Sequence, residues 1–392
     1  MVKTGKPGGE DSVHRSTINP TLIMKTIGLF LIALSTALAG FGQIMPLTLE
    51  PDGGNKKASV SEQIGIVKIA IQYSRPGVRG REGKIWNTPV AHYGFADQGH
   101  GTSYAAPWRA GANENTTFSF SHPVRIEGKD LPAGTYGFFI ALSEQESTLI
   151  FSKVSTSWGS FYYDPSFDAL RVTVKNKSTD QSVEWLKYEF TGQTDSSAVV
   201  ALSWERRMIP FRIEADVEKL QIEAFRRDFM TTRNYEDFIA AAQYCVQHNI
   251  ELDQALAWMD RAISFRVMGR ANYRTLSTKA TVLMKMNRFD EAQKIMNEAL
   301  PMGTMIEVHF YGRTLQSMNK PDEALKVFKL NYEKYPKEYT TQLGLARGYS
   351  GVGDYKKALG YLKAALPQAP DPGSKSRAEA MIKLLEEGKN IN

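Results

Sequence analysis

The chain has 392 residues, of which 42% are hydrophobic and 23% are charged, a balance typical of a globular protein that excludes a disordered chain. Its formal net charge of +6 is modest for this length and its basic residues are spread out, so nucleic acid is not an indicated partner. Cys245 is the one cysteine, which excludes a disulfide between two residues of the chain. A chain of this length is expected to form two or three domains with ordinary hydrophobic cores.

Residues 24–42 have the pattern of a secretory signal peptide: one lysine, an apolar run and then small residues, with cleavage after Ala39 or Gly42. The apolar run is shorter than the ~20 residues needed to span a membrane. No cysteine follows it that could carry a lipid anchor. We therefore predict export to the periplasm or the cell exterior, with an uncleaved signal anchor as the alternative. Residues 1–23 are interpreted either as a non-native extension before a start at Met24 or as an extended n-region, and residues 43–59 as a linker.

Residues 60–215 alternate apolar and polar side chains in short runs, with turn residues between them. This period of two predicts antiparallel strands that form a sandwich or a barrel. The predicted strands are Ile64–Tyr73, Thr116–Phe120, Gly134–Leu142, Thr148–Val154, Leu170–Asn176, Val183–Phe190 and Ala198–Glu214.

From residue 216 to residue 392 the apolar period changes to that of helices, and small residues recur at intervals of about 34 residues. The recurring residues are Ala255, Ala292, Ala324 and Ala358. The pattern is similar to the tetratricopeptide repeat, a helix-turn-helix unit with small residues where its two helices cross. Three good units and one degenerate unit are predicted between residues 237 and 371, followed by a capping helix at 375–390. A solenoid of this kind typically binds a peptide or protein.

The predicted β domain resembles a bacterial exported family, domain of unknown function 2911, over about residues 58–214. The segments that carry the resemblance are Tyr73–Pro76, Gly80–Arg81, Trp108–Thr116, Leu131–Tyr136, Trp158–Gly159, Tyr163–Asp164 and Leu170–Val172. The Trp-Arg-x-Gly-Ala-Asn-Glu motif that begins at Trp108 is the most specific of them. The resemblance implies a fold, a bacterial exported location and a following set of helical repeats, and it implies no reaction. The residues from Phe95 to Pro107 form a longer loop than the family pattern has.

The motif at Trp108 admits two interpretations. In the first it is a loop-to-strand corner, where Trp108 fills an end of the sandwich and Arg109 neutralises Glu114. In the second it is a polar cup for a sugar or a small carboxylate, because loops on rigid sandwiches often carry function and an arginine fork binds a carboxylate with two hydrogen bonds. The predicted cup residues are Arg75, Arg109, Asn113 and Glu114, with Tyr73, Trp108 and Trp158 as aromatic walls.

Three histidines, His92, His100 and His122, are weak candidates for a metal site because imidazole is a common zinc ligand. Their spacing matches no metal-binding motif, and no cofactor is predicted. The sequence also contains no P-loop, no dinucleotide-binding glycine motif, no hydrolase nucleophile elbow and no Cys-x-x-Cys.

These patterns predict a two-domain exported protein: an antiparallel β-sandwich-like domain followed by a helical solenoid. The predicted role is non-catalytic binding or scaffolding at the cell envelope, with a small ligand or glycan at the β domain and a protein at the helices. The alternatives are an envelope hydrolase that uses Glu114 as its acid/base, and a purely structural assembly protein. The sequence does not identify the ligand or the oligomeric state.

Overall fold

The protein is described by a computed structural model that covers residues 55–99, 101–102, 104–231, 234–266 and 269–392. The predicted signal peptide, the extension before it and nearly all of the predicted linker lie outside the described residues. No helix within the described ranges is long and apolar enough to cross a membrane.

Residues 56–214 form two antiparallel sheets, which confirms the predicted β-sandwich. The strands are β1 (Lys56–Ile64), β2 (Val67–Arg75), β3 (Thr116–Phe120), β4 (Val124–Ile126), β5 (Lys129–Leu131), β6 (Gly134–Ala141), β7 (Glu146–Ser152), β8 (Asp168–Lys175), β9 (Lys177–Thr191) and β10 (Ser197–Glu214). One sheet has the strand order β1-β2-β3-β6-β7-β8 and the other has the order β5-β4-β10-β9. The described part of the domain begins four residues earlier than the predicted boundary at residue 60, because Lys56 already pairs with Arg75.

The core between the sheets is aromatic. Phe118, Phe138, Phe151 and Phe211 are all buried and lie within contact distance of one another. Because alternate side chains of a strand point to opposite faces, these residues come from one face of each strand. The predicted strand from Ile64 to Tyr73 is wrong at its start: Gly65 has a φ of +55° and turns the chain between β1 and β2. Apolar residues continue through this turn, so the sequence pattern did not indicate a hairpin there.

Ten helices follow within the described ranges, as the change of period predicts. They are α1 (Val217–Asp228), α2 (Tyr235–His248), α3 (Leu252–Ser264), α4 (Tyr273–Lys285), α5 (Phe289–Ala299), α6 (Met305–Ser317), α7 (Pro321–Lys334), α8 (Tyr339–Gly351), α9 (Tyr355–Ala365) and α10 (Pro372–Glu386). Helices α2 to α9 form four consecutive hairpins, and α10 packs on the last of them. The recurring alanines are buried where the two helices of each hairpin meet, as the repeat pattern requires.

The first helices of successive hairpins are not evenly spaced. α2 packs closely on α4, and α6 packs closely on α8, whereas α4 and α6 are farther apart, as are α8 and α10. A short 3-10 helix follows the hairpin at both wide places, at Leu300–Met302 and Leu366–Gln368. Both begin with the sequence Leu-Pro, so the α4–α6 unit and the α8–α10 unit are two copies of one arrangement.

Helix α1 connects the two halves of the molecule. Leu220 belongs to the core cluster of the β domain, whereas Ile222 belongs to the first core cluster of the helices. The approach of α1 to the sandwich is close, because a Cβ on Gly65 would lie 2.3 Å from a methyl group of Val217.

Candidate functional site

The motif at Trp108 begins in the core of the sandwich. The Trp108 backbone exchanges two hydrogen bonds with Ile140, and its ring stacks on Trp204 at 6.2 Å with an angle of 8° between the planes. Only 3% of Trp108 is exposed, so this residue fills the interior and does not form a wall of an open cup. For Trp108 the interpretation as a corner is therefore the better one.

The chain then turns sharply at two residues with left-handed backbone. Ala110 has a φ of 51° and Asn113 a φ of 57°, a conformation that is costly for alanine and easier for asparagine. The Ala110 carbonyl accepts hydrogen bonds from the hydroxyls of Thr116 at 3.0 Å and Tyr188 at 2.8 Å. These buried bonds hold the strained corner in place, and the corner sends Arg109 and Glu114 to different surfaces.

Glu114 does not pair with Arg109. Its carboxylate accepts hydrogen bonds from Lys57 Nζ at 2.6 Å and from Ser74 Oγ at 3.2 Å. It lies in a cleft of about 600 Å³ between β1, the corner and the segment from Ser155 to Ser157. The bond from Lys57 lowers the pKa of the Glu114 carboxyl, whereas a general acid at neutral pH needs a raised pKa. The lowered pKa of Glu114 therefore does not favour a role as a catalytic acid.

Arg109 lies on the other side of the corner. Its Nη1 donates a hydrogen bond to the Asn113 carbonyl at 3.1 Å, and its guanidinium lies 4.9 Å from the centre of the Phe161 ring. It also packs directly against Gly159, where an added Cβ would come within 2.4 Å of the guanidinium carbon. Burial lowers the pKa of Arg109. Its position is thus fixed by contacts with neighbours that carry no charge.

The cleft at Arg109 is here called the arginine cleft, and it has a volume of about 580 Å³. The described residues that line it are Asn55, Pro76, Arg79, Arg81, Val90, Arg109, Gly111, Ala112, Asn113 and Trp204. Three of these are arginines and none is acidic. The cleft therefore presents a concentrated positive charge, which low-dielectric walls strengthen.

The other predicted cup residues do not face this cleft together. Arg75 is held to β9, because its Nε donates to the Leu186 carbonyl at 2.8 Å. The Tyr73 side chain is buried, and its hydroxyl accepts a hydrogen bond from the Tyr188 backbone at 3.2 Å. Trp158 is 46% exposed and lies in the loop after β7, and it lines neither the cleft at Glu114 nor the arginine cleft. The seven predicted residues thus do not form one cup. Instead, Glu114 lies in one cleft and Arg109 and Asn113 lie in another, on the two sides of the corner.

The three histidines do not define a metal site in the described residues. His92 is half-buried and contacts Gln98, and His122 lies in the turn after β3, where its Nδ1 is 2.9 Å from Ser121 Oγ. His100 lies outside the described residues. No group of three or more His, Cys, Asp or Glu side chains that could hold a metal ion occurs within the ranges described.

A third cleft lies in the helical half, at the wide place between α4 and α6, and is here called the α4–α6 cleft. It has a volume of about 260 Å³ and is lined by Tyr273, Ser277, Thr281, Met284, Met296, Glu307, Phe310, Tyr311 and Thr314. Phe310 is 64% exposed at its edge. The hydroxyls of Thr281 and Thr314 donate to carbonyls of their own helices, and the Glu307 carboxylate accepts from the Thr304 backbone at 2.8 Å. Because these polar groups are already bonded, the cleft offers mainly apolar contacts.

The second copy of this arrangement, at α8 and α10, is occupied by the chain itself. Ile391 is buried there, with its carbonyl accepting from Arg347 Nη1 at 3.0 Å and its N–H donating to Ser350 Oγ at 3.1 Å. Arg347 and Ser350 lie the same number of positions after Tyr339 as Thr281 and Met284 lie after Tyr273. The two tyrosines also make the same contact: Tyr273 donates to the Glu307 carbonyl at 3.0 Å, and Tyr339 donates to the Ser374 carbonyl at 3.1 Å. The residues that hold Ile391 in one copy thus correspond to residues that line the open cleft in the other.

Several site residues were not predicted from the sequence. Arg79 was not singled out, Arg81 was named only in the family-resemblance segment Gly80–Arg81, and Lys57 was assigned to the linker. The signal for the two arginines was available in part, because both adjoin the Tyr73–Pro76 segment that also reaches the corner. Phe310 gave no signal, since an apolar residue in a helix is usually buried.

The molecule is therefore a two-domain protein in which an antiparallel β-sandwich with a charged cleft precedes a stack of paired helices with an apolar cleft. The resemblance stated for the β domain is confirmed, because residues 55–213 match the profile of a family described as "Protein of unknown function (DUF2911)". No curated protein matches the chain.

Solved structures similar to the chain include tetratricopeptide repeat proteins. YrrB, described as a TPR protein with an unusual peptide-binding site, is 18% identical, covers 42% of this chain and 84% of its own, and has a TM-score of 0.28. A tetratricopeptide repeat protein from Parabacteroides merdae is 16% identical, covers 44% of this chain and 66% of its own, and has a TM-score of 0.32. MamA from Desulfovibrio magneticus RS-1 is 14% identical, covers 39% of this chain and 90% of its own, and has a TM-score of 0.28.

Proposed function

We propose that this protein is an exported, non-catalytic binding protein of the bacterial cell envelope. In this proposal the helical stack holds an extended segment of a partner protein in the α4–α6 cleft, and the β domain holds a small ligand. The signal-peptide pattern of residues 24–42 supports export.

The observation that supports peptide binding is the occupied second copy. The segment Asn390–Asn392 lies along α8, anchored by one buried isoleucine and by hydrogen bonds to its own backbone. Main-chain hydrogen bonds combined with a side-chain anchor are how folded domains commonly hold extended peptides. The α4–α6 cleft repeats this arrangement with its edge open, so it fits an extended segment of another protein.

The character of the cleft specifies the partner segment further. In the occupied copy Arg347 and Ser350 supply polar donors and acceptors, whereas Thr281 and Met284 supply mostly apolar surface. An exposed aromatic side chain at the edge of an apolar cleft is the kind of residue that dominates binding energy in interfaces. The expected partner segment therefore carries an aliphatic or aromatic anchor side chain that packs against Phe310.

Panning a phage-displayed random peptide library against the full chain tests this proposal. Selected peptides should share an apolar anchor, and Phe310→Ala should weaken their Kd at least tenfold, which corresponds to about 1.4 kcal/mol. The matched control is Phe167→Ala, because Phe167 is also exposed, at 45%, but lies in the β domain. If the selected peptides bind the Phe310→Ala protein as tightly as the wild type, the α4–α6 cleft is not the binding site.

Export has its own experiment. The full chain is expressed in a bacterium with its natural leader, and the protein in the periplasm and the medium is sequenced from its N-terminus. The proposal expects a protein that begins at Gly40 or Gln43. A protein that stays in the cytoplasm with residues 24–42 attached would contradict the proposal.

A further inference from the structure

We infer that the arginine cleft of the β domain is a binding site for the anionic group of a small molecule, either a carboxylate or a phosphate. This inference rests on the proposal that the β domain holds a small ligand, and it names the chemical class of that ligand. Carboxylates and phosphates share the pair of oxygens that a guanidinium binds with two parallel hydrogen bonds.

The first observation is the state of Arg109. A guanidinium has five N–H donors, and within the described residues the Arg109 side chain makes one hydrogen bond, to the Asn113 carbonyl. Among the described residues no carboxylate lies within ion-pair distance of Arg109 or of Arg81. A half-buried cation without a counter-ion is costly, and an anion that enters the cleft removes that cost.

The second observation is that Arg109 is already positioned. The Phe161 ring lies against one part of the guanidinium, Gly159 packs on it, and the Asn113 carbonyl fixes Nη1. An arginine held in this way loses little side-chain entropy when a ligand binds, and such preorganisation raises affinity.

The third observation is that nearby acids are engaged elsewhere. The Glu184 carboxylate accepts from the Arg79 backbone N–H at 3.0 Å, and the Glu205 carboxylate accepts from the Gly83 backbone N–H at 2.5 Å. Both therefore stabilise the backbone of the loop that carries Arg79 and Arg81. Glu184 and Glu205 therefore form no ion pair with Arg109 or Arg81 in the described part of the chain.

The lining of the cleft includes the buried ring of Trp204. Its indole N–H has no acceptor among the described residues, but the nitrogen is itself enclosed, so the donors that a ligand can reach are those of the arginines. The volume of about 580 Å³ accommodates a sugar acid or a sugar phosphate.

The test uses the full chain at low ionic strength with inorganic phosphate, D-glucuronate, D-glucose and sodium chloride as separate additions. The midpoint of thermal unfolding should rise with phosphate or with glucuronate, and which of the two acts at the lower concentration identifies the group that the site prefers. Sodium chloride at the same ionic strength should leave the midpoint unchanged. Calorimetric titration should then show a Kd at least tenfold weaker for Arg109→Gln, and an unchanged Kd for the matched control Arg125→Gln, an exposed arginine on β4.

A second readout does not depend on stability. His92 is near enough to Arg109 for that charge to contribute, after burial, to the lowering of its pKa. An anion bound at Arg109 should therefore raise the pKa of His92, which imidazole NMR signals report. Arg79→Gln, which alters an exposed residue, takes the place of Arg109→Gln if the latter fails to fold, and it should also weaken binding.

Equal shifts of the midpoint in the wild type and in Arg109→Gln would overturn the inference, and so would the absence of any shift with both anions. Stabilisation by glucose alone, independent of Arg109, would also overturn it while leaving a ligand-binding role of the β domain intact. None of these results bears on peptide binding at the α4–α6 cleft, which Phe310→Ala tests separately.

Discussion

Lowering the pH should destabilise the helical half through His309. This side chain lies on α6 and packs against Phe328 of α7, it is only 8% exposed, and its Nδ1 has no partner among the described residues. Burial, together with the charges of Arg347 and Arg313, lowers the pKa of His309 to about 4 from 6.5. The unfolded chain therefore binds a proton at this residue more tightly than the folded chain does, and the folded state becomes less stable as the pH falls from 6.5 towards 4.

The size of the effect follows from the two pKa values. At pH 7.5 His309 is neutral in both states and contributes nothing. At pH 5 the imidazole is protonated in the unfolded chain and neutral in the folded chain. This pH is about 1.5 units below the ordinary histidine pKa of 6.5. At ~1.36 kcal/mol per unit, this residue alone lowers the free energy of unfolding by about 2 kcal/mol between pH 7.5 and pH 5.

Urea unfolding of the wild type and of His309→Leu at both pH values measures this difference. Leucine removes the titrating group, and the corresponding position one repeat later, on α8, is Leu343. The loss between pH 7.5 and pH 5 should be about 2 kcal/mol smaller in His309→Leu than in the wild type. An equal loss in the two proteins, or an NMR titration of His309 with an ordinary midpoint, would refute the reasoning.

Three further changes have defined outcomes. Gly159→Ala places a Cβ at a φ of +60° and within 2.4 Å of the Arg109 guanidinium. Left-handed backbone costs alanine about 1 kcal/mol, so we expect that loss of stability in thermal or urea unfolding, together with weaker phosphate binding. Unchanged phosphate binding would contradict the placement of Arg109. Ile391→Ala should lower the free energy of unfolding by about 2 kcal/mol in a urea titration, since Ile391 is only 8% exposed in the last helical core cluster, and no loss would mean that the tail is not held there. Glu114→Gln should change that free energy by less than about 1 kcal/mol, because both members of the Lys57–Glu114 pair are substantially exposed, and a larger loss in the same titration would show that the corner depends on the pair.

The architecture was predictable because periodicity reports which side chains are buried. The alternation through TTFSF matches β3 at both ends, and the recurring alanines locate the crossings of the helical hairpins. The hairpin at Gly65 was missed because an apolar run continues through its turn, so that the pattern contained no polar interruption. The short strands β4 and β5 were not predicted, because three residues are too few to show an alternation.

The candidate site was predicted as a set of residue types but not as a geometry. In the corner interpretation Arg109 was expected to pair with Glu114, yet the left-handed residues Ala110 and Asn113 send them to opposite sides of the corner. A backbone turn of this kind at an alanine has no signature in the sequence. The partner that Glu114 does have, Lys57, is distant in the chain and is brought near by β1, and pattern analysis cannot detect a pair of that kind.

Helix α1 contributes to the hydrophobic cores of both halves of the molecule. Its Leu220 completes the interior of the sandwich, and its Ile222 completes the interior of the first helical hairpin. A protein fragment that stops at residue 215 would lose a piece of its own interior, whereas one that continues to Asp228 would keep it and carry a bare apolar stripe into solvent. Neither half can therefore be separated without losing part of its core. A substitution that loosens α1 against one half also weakens the packing of the other half.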